Sequence, residues 1–244
     1  MSKIYCDSCE NCFECIYDNS IDLFLTDPPY KDYKSNRSKL GSDNKYTISA
    51  KGFSVDYLIN QIEKKLKDDR YFFIFCDHYT FSSFFESINK SKILKYKNLL
   101  VWIKNNHGAG DLYRNYAPQH ELVIFGSKGK GRKFNGKRPS NVLLKKTKKN
   151  ISFYNKVANK QYNHITAKPI ELLEEFIMTT TNVNDLIMDP YGGSFSLAEA
   201  CLNKKRNFIV CENNLIHCKN SLERLNSVYS DKKIEVIINE NLLI

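Results

Sequence analysis

The chain has 244 residues, 42% of them hydrophobic and 13% aromatic, which predicts one large folded α/β unit or two small ones and excludes a disordered chain. Lys and Arg outnumber Asp and Glu by 37 to 27, and the net charge of +10 favours a polyanionic partner, nucleic acid before an anionic membrane surface. The opening MSKIYCDSCE lacks the apolar core of a signal peptide, and no apolar run is long enough to cross a bilayer. A soluble cytoplasmic or nucleoid-associated protein without a membrane partner is therefore expected, with its eight cysteines as thiols rather than a disulfide framework.

In chain order, Tyr5-Cys6-Asp7 ends a short strand. Cys6, Cys9, Cys12 and Cys15 then form three successive CxxC steps and leave two readings open. In one they sit on a loop and hold zinc or an iron–sulfur cluster. In the other, Ser8 to Tyr17 is a helix with Cys12 and Cys15 in the core. Residues three apart on a helix step by about 300°, so four of them fan across half the circumference and cannot meet at one ion. Ile21 to Thr26 reads as a buried parallel strand and runs straight into Asp27-Pro28-Pro29-Tyr30. Lys31 to Gly52 is polar and net basic, and is expected to be a mobile loop that closes over a substrate.

Further on, helical patterns over Val55–Leu66, Thr80–Asn89, Ile170–Thr179, Ser196–Asn203 and Leu215–Leu225 alternate with strands. The strands are Tyr71–Cys76, Leu99–Lys104, Leu122–Phe125, Leu186–Met188 and Phe208–Cys211. Such alternation predicts a doubly wound α/β sheet, with ligands beyond the carboxyl ends of its strands. The five histidines are scattered, and nothing pairs them with a nucleophile.

The tetrapeptide Asp27-Pro28-Pro29-Tyr30 carries the sharpest chemistry. An exocyclic amino group is a weak nucleophile because its lone pair is delocalised into the ring. The Asp27 carboxylate and the Pro28 carbonyl can accept its two protons and draw the nitrogen toward tetrahedral geometry. Two prolines stiffen the backbone that aims these acceptors, and Tyr30 offers a face for an extruded base. Met188-Asp189-Pro190-Tyr191-Gly192-Gly193-Ser194 also follows a strand and opens a helix, and its glycines allow a tight turn near a ligand. Glu212 ends the next strand, where an acid can hold ribose hydroxyls or simply start a helix.

Taken in order, IDLFLTDPPY, FFIFCD, LLVWIKNN with HELVIFGSKG, HITAKP, IMDPYGGSFS and RNFIVCE resemble the permuted β group of amino-methyltransferases, the adenine-N6 and cytosine-N4 DNA methyltransferases. The resemblance implies a Rossmann-like, circularly permuted sheet with a small basic target-recognition insert. It divides the chain into a catalytic half (1–125), a recognition region (126–163) and a cofactor half (164–244). It implies S-adenosyl-L-methionine as cofactor, no metal, and methyl transfer to a flipped base in double-stranded DNA, with single strands left open. The leading Asp27 leans toward adenine N6.

Carried onto this chain, the family's pattern makes Asp27, Pro28, Pro29 and Tyr30 catalytic. Asp189, Tyr191, Gly192, Gly193 and Ser194 line the methionine end of the cofactor. Glu212, beside Asn213, holds its ribose, Thr166 and Lys168, beside Pro169, reach its carboxylate, and Asp7 faces its adenine. The chain departs from the pattern at Cys6 and Phe195, where glycine is usual, at Tyr191 for phenylalanine, and at Ile165 for proline.

From Leu122 to Ile170 there is no Asp or Glu. Within it Arg132, Lys133, Lys137, Arg138, Lys145, Lys146, Lys148 and Lys149 are interleaved with aromatic residues, and with Lys31, Lys34 and Arg37 they are the candidate DNA contacts. Cytosine-N4 methylation, or a metal-dependent nucleic-acid-binding protein on a degenerate methyltransferase fold, remain the rival readings. A homodimer and a cognate restriction endonuclease are left open as partners.

Overall fold

The computed structural model describes residues 2–29, 53–107, 113–146, 151–154 and 167–239. In chain order the elements are β1 (Ser2–Cys6), α1 (Cys9–Glu14), β2 (Ile21–Thr26), α2 (Val55–Lys65), β3 (Leu66–Cys76), α3 (Phe81–Lys90), β4 (Leu94–Ile103) and β5 (His120–Lys128). There follow β6 (Val142–Leu143), β7 (Lys145–Lys146), β8 (Ile151–Ser152), α4 (Ile170–Thr180), β9 (Leu186–Asp189), α5 (Ser196–Asn203), β10 (Asn207–Cys211), α6 (Leu215–Val228) and β11 (Ile234–Ile238). Nine strands form one Rossmann-like sheet in the order β11-β1-β10-β9-β2-β3-β5-β4-β6, and β7 and β8 pair separately. Every ladder of the large sheet is parallel except those that β5 makes with β3 and β4.

Both faces of the sheet are covered, so its central strands are apolar throughout. Side chains alternate between the two faces. Leu23, Leu25, Phe73, Phe75 and Phe208 pack on one side against Leu173 and Phe176 of α4 and Leu197 of α5. Phe24, Phe72, Ile74 and Met188 pack on the other against Phe13 of α1, Leu58 and Ile62 of α2 and Phe84 of α3. Phe195, at a position where the resemblance expects glycine, is fully buried in the first cluster and keeps a left-handed φ of 55°. It fills core volume under α5 at the cost of backbone strain.

The early and late parts of the chain meet where β2 lies beside β9. At the start of these strands Asp22 is almost fully buried. Its carboxylate accepts from Leu186 N at 3.0 Å, from Lys67 Nζ at 2.9 Å and from Arg70 Nε at 3.1 Å. Burial pushes its proton affinity up, but these three donors outweigh burial and hold it below the usual carboxylate range.

Three features differ from expectation. β11 joins the sheet beside β1, with Lys3 Nζ 3.3 Å from Glu235. It is a half-exposed edge strand, and its IEVII segment lacks the flanking signals of a core strand. The four N-terminal cysteines diverge. Cys12 is joined to Cys211 as a disulfide (Cα–Cα 6.6 Å), Cys9 lies 3.6 Å from the Tyr191 hydroxyl, Cys15 is exposed, and Cys6 is buried. The disulfide corrects the expectation of thiols throughout: α1 lies on one face of the sheet, where its fully buried Cys12 meets the fully buried Cys211 at the end of β10. The expected mobile loop, Lys31 to Gly52, lies outside the described residues.

Replacing Asp22 with Ala should lower stability by about 2–3 kcal/mol, since it leaves one buried backbone donor and two charged donors unpaired. Urea denaturation at neutral pH measures this. The folded carboxyl is the stronger acid, so its contribution is complete above the unfolded pKa of about 3.9 and is lost as the pH falls below it. Asp22→Asn should flatten that acid limb.

Candidate active site

The parallel strands β1, β10, β9, β2 and β3 deliver their carboxyl ends to one edge of the sheet. Chain order reverses between β9 and β2, and at such a switch point the flanking loops part and leave a crevice. Asp27, Pro28 and Pro29 leave β2 on one side of it, with Pro28 buried. Asp189 ends β9 on the other. Thr26 Oγ1 donates to Asp189 Oδ1 at 2.7 Å, and Tyr191 N donates to the same oxygen at 3.0 Å.

Asp189 is buried, and burial first, then the charges of Asp27 and Glu212, push its pKa up to about 7. The turn that follows is tightly constrained. A Cβ on Gly192 would stand 2.1 Å from Val210 Cγ1 and 3.0 Å from the Cys211 carbonyl, so only glycine fits. Gly193 is left-handed at φ 53° and gives its N–H to Glu212 Oε2 at 2.8 Å. The Ser194 hydroxyl shares a hydrogen with Ser196 at 2.8 Å, and the Ser194 carbonyl accepts from Arg224 Nη2 at 2.6 Å. Tyr191 is largely buried edge-on to Phe53, 5.7 Å between ring centres.

Glu212 stands directly after β10, with Oε1 accepting from Asn214 N at 2.8 Å. It thus ties the glycine turn to the start of α6. A carboxylate oxygen has two lone pairs, so each still has capacity for a hydroxyl donor. Burial holds the Glu212 carboxyl above its usual range, against the backbone N–H groups. Asn213 beside it is exposed. At the end of β1, Asp7 Oδ1 accepts from Ser8 N at 2.7 Å and from the Asn11 and Asn239 amides, each at 2.9 Å.

Lys168, buried just before Pro169 and α4, pairs with Asp27 Oδ2 and lies 3.5 Å from Glu121 Oε2. Burial works against its charge, but Asp27 and Glu121 prevail and raise its pKa above the usual value. Glu121 and Thr26 were not singled out from the sequence. Each is a polar residue at the catalytic end of a mostly apolar strand, HELVIF and IDLFLT, and that exception is the signal that could have found them.

The basic candidates separate. β5 carries the chain away from the catalytic edge, so Arg132 and Lys133 lie at the opposite edge, beside the starts of β3 and β9. There Arg132 N donates to the Asp69 carbonyl at 3.0 Å, and its guanidinium is 3.6 Å from Asp185 and 3.0 Å from the Asn182 amide oxygen. Arg132 is thus tied into the fold at the far edge, and Lys133 beside it is exposed. Asn135 then docks on the end of α4, its N–H 2.8 Å from the Thr179 carbonyl. Lys137 and Arg138 are exposed on the way back.

β6 runs parallel to β4 and returns the chain to the catalytic edge at Lys145 and Lys146. Lys145 is bound to Glu171 at 2.6 Å, and Tyr154 to Glu175, so the segment is strapped across α4. On the connection between β4 and β5, at the same edge, Tyr113 and Tyr116 are 90% and 97% exposed. Tyr30, Lys31, Lys34, Arg37, Lys148, Lys149, His164, Ile165 and Thr166 lie outside the described residues. Among the described residues, no three His, Cys, Asp or Glu side chains are placed to hold a metal ion, and no helix is long and apolar enough to cross a membrane.

A ligand with a cationic centre near Asp189, hydroxyl groups at Glu212 and a carboxylate toward Lys168 matches this set of donors and acceptors, and S-adenosyl-L-methionine carries all three. Sheet, switch point and paired strand-end motifs together define a methyltransferase of permuted motif order. Residues 21–223 match the family model described as DNA methylase, N6_N4_Mtase, and the chain belongs to that family. It is an S-adenosyl-L-methionine-dependent DNA methyltransferase.

Among similar proteins, Type II methyltransferase M.HhaII of Haemophilus parahaemolyticus is 26% identical, over 82% of this chain and 86% of that protein. Type II methyltransferase M1.MboII of Moraxella bovis is 27% identical, over 88% of this chain and 92% of its own. The crystal structure of the M1.HpyAVI–SAM complex shares the fold with a TM-score of 0.67 at 23% identity, covering 92% of this chain and all of that one. The cytosine-N4-specific PvuII DNA methyltransferase shares it with a TM-score of 0.69 at 17% identity, covering 96% of this chain and 95% of its own.

The Asp189 pKa of about 7 makes cofactor binding pH-dependent. In the free protein the carboxyl is partly protonated near neutrality, and a neighbouring cation favours the ionised form. Affinity for S-adenosyl-L-methionine should therefore rise with pH up to about 7 and level off above it. Asp189→Asn should bind more weakly and lose this slope. Calorimetry across pH 5.5–8.5, in buffers of different ionisation enthalpy, checks both, and a slope that survives in the variant removes Asp189 from the cationic end (~3 pH units bracket the transition).

Proposed function

We propose that the enzyme methylates the N6 amino group of adenine in double-stranded DNA, with the base flipped into the crevice beside Asp27. The observation that carries this reading is the placement of the Asp27 carboxylate and the Pro28 backbone at the switch point, facing the Asp189 turn across it. The cofactor supplies an electrophilic methyl group on a sulfonium. Asp27 and the Pro28 carbonyl accept the two amino protons and aim the nitrogen's lone pair. With no covalent enzyme intermediate, the product proton leaves through Asp27 or to water. Tyr30 is the candidate stacking face for the extruded base.

The leading Asp27 supports adenine, as does similarity to DNA adenine methyltransferase YhdJ of Escherichia coli, 25% identical over 88% of this chain. Cytosine N4 is the alternative outcome, because it presents the same amino chemistry. Lys137, Arg138, Lys145, Lys146, Lys148 and Lys149 are the proposed phosphate contacts, with Lys31, Lys34 and Arg37. The exposed Tyr113 and Tyr116 are apt for stacking on displaced bases. We take 126–163 as the target-recognition region. The Type II designation of the relatives supports a cognate restriction endonuclease as partner, and light scattering distinguishes a monomer from a homodimer.

Asp27→Ala should abolish methyl transfer while leaving the fold and cofactor binding nearly intact. Sequencing of modified bases in DNA from a methylation-free host measures it. N6-methyladenine with the wild-type gene and none with the variant is expected, whereas N4-methylcytosine overturns the choice of base. Wild-type modification by the variant overturns the role of Asp27.

A further inference from the structure

The ion pairs that end on Asp27 begin beyond β5. Lys104 follows β4, and its Nζ lies 2.5 Å from Glu121 Oε1. Glu121, the second residue of β5, stands opposite Trp102 in the β4–β5 ladder. Its other oxygen, Oε2, is 3.5 Å from Lys168 Nζ, which is paired to Asp27 Oδ2. The Lys168 ammonium lies 5.0 Å from the centre of the Phe75 ring of β3, so an apolar floor closes the pair from below. Positive and negative charges alternate along the four side chains and sum to zero. Asp27 from β2 and Glu121 from β5 face Lys168 directly, Lys104 from β4 acts through Glu121, and Asp189 from β9 feels Asp27 across the switch point.

A lysine head on a four-carbon stem is a movable point charge. With Asp27 as its only counterion, it would follow that carboxylate wherever the motif let it go. A second carboxylate, carried by a central strand of the sheet, gives the ammonium a fixed reference on its other side. We infer that Glu121 is a positioning residue for methyl transfer: it anchors Lys168, and through Lys168 fixes where the Asp27 carboxylate stands. The inference rests on Asp27 as acceptor of the amino protons. Lys168 stays charged in this buried place because two carboxylates flank it, and Glu121 stays ionised because Lys168 and Lys104 outweigh its burial.

The test is a double-mutant cycle on the full-length enzyme with duplex DNA. Single-turnover rates are measured at saturating cofactor and DNA, cofactor affinity by calorimetry, and folding by melting temperature. Glu121→Gln should slow methyl transfer by about tenfold to a hundredfold, the loss that a misplacement of order 1 Å brings, with cofactor affinity nearly unchanged. Glu121→Asp, which keeps the charge but withdraws it by one methylene, should fall between the two. In a Lys168→Met background, Glu121→Gln should cost little further, because its route to Asp27 is gone. Equal losses in both backgrounds, or a wild-type rate in Glu121→Gln, overturn the inference. Should the Gln variant not fold, Glu121→Asp decides: a slowed rate with an intact melting temperature supports the role, and an unchanged rate overturns it. Loss of activity in Asp27→Ala with full activity in Glu121→Gln would sink this inference and leave the reading of Asp27 standing.

Discussion

Everything in this molecule depends on the seam between β2 and β9. The ladder itself is short, and the seam is closed by side chains at both ends. At the start of the strands Asp22 gathers the Leu186 N–H, Lys67 and Arg70, and at the finish Thr26 is bonded to Asp189. The bonds from Leu186 to Asp22 and from Thr26 to Asp189 join residues more than 160 positions apart, with the basic region and three of the described helices lying between them in the chain. Asp27 and the glycine turn after Asp189 hold their spacing because the seam does. A polar fastening is well suited to hold that spacing, because it demands one register, whereas an apolar seam would tolerate sliding.

The carboxyl edge concentrates negative charge in an otherwise basic protein. Asp7, Asp27, Asp189 and Glu212 all end strands there, and Lys168 is the buried cation among them. Each acid is handled differently. Asp7 is held by a backbone N–H and two amides, and Glu212 by backbone N–H groups, while Asp27 has an ammonium and Asp189 is left partly protonated. Asp189 is therefore the acid best able to change its charge when a cation arrives.

Much of this was legible in the sequence. Apart from the short β6, β7 and β8, the strands and helices from β2 to α6 are legible with boundaries that differ by a few residues, because a sheet buried on both faces writes its strands as apolar runs. The strand-end acids were legible too, since Asp27, Asp189 and Glu212 each terminate such a run. What was not legible depends on long-range geometry. β5 runs antiparallel, and nothing local in HELVIFGSK announces direction, so the sequence does not tell that Arg132 and Lys133 lie at the end of the sheet opposite Lys145. Cys12 and Cys211 are 199 residues apart in sequence, and only the docking of α1 brings them together. The partnership of Glu121 with Lys168 likewise crosses from one strand to the approach of a distant helix.

The ties of Asn135, Lys145 and Tyr154 to α4 have a consequence for how this enzyme can diversify. Asn135 is tied to the end of that helix, while Lys145 and Tyr154 are tied to acids on its first two turns. Among the described residues between these fastenings, only the brief β6 joins the large sheet. Lengthening a loop held at both ends is thermodynamically mild, about 0.6 kcal/mol for each doubling. Insertions and exchanges there leave the β2–β9 seam untouched. The same scaffold can thus acquire new surface piecemeal, with the crevice at its switch point inherited intact.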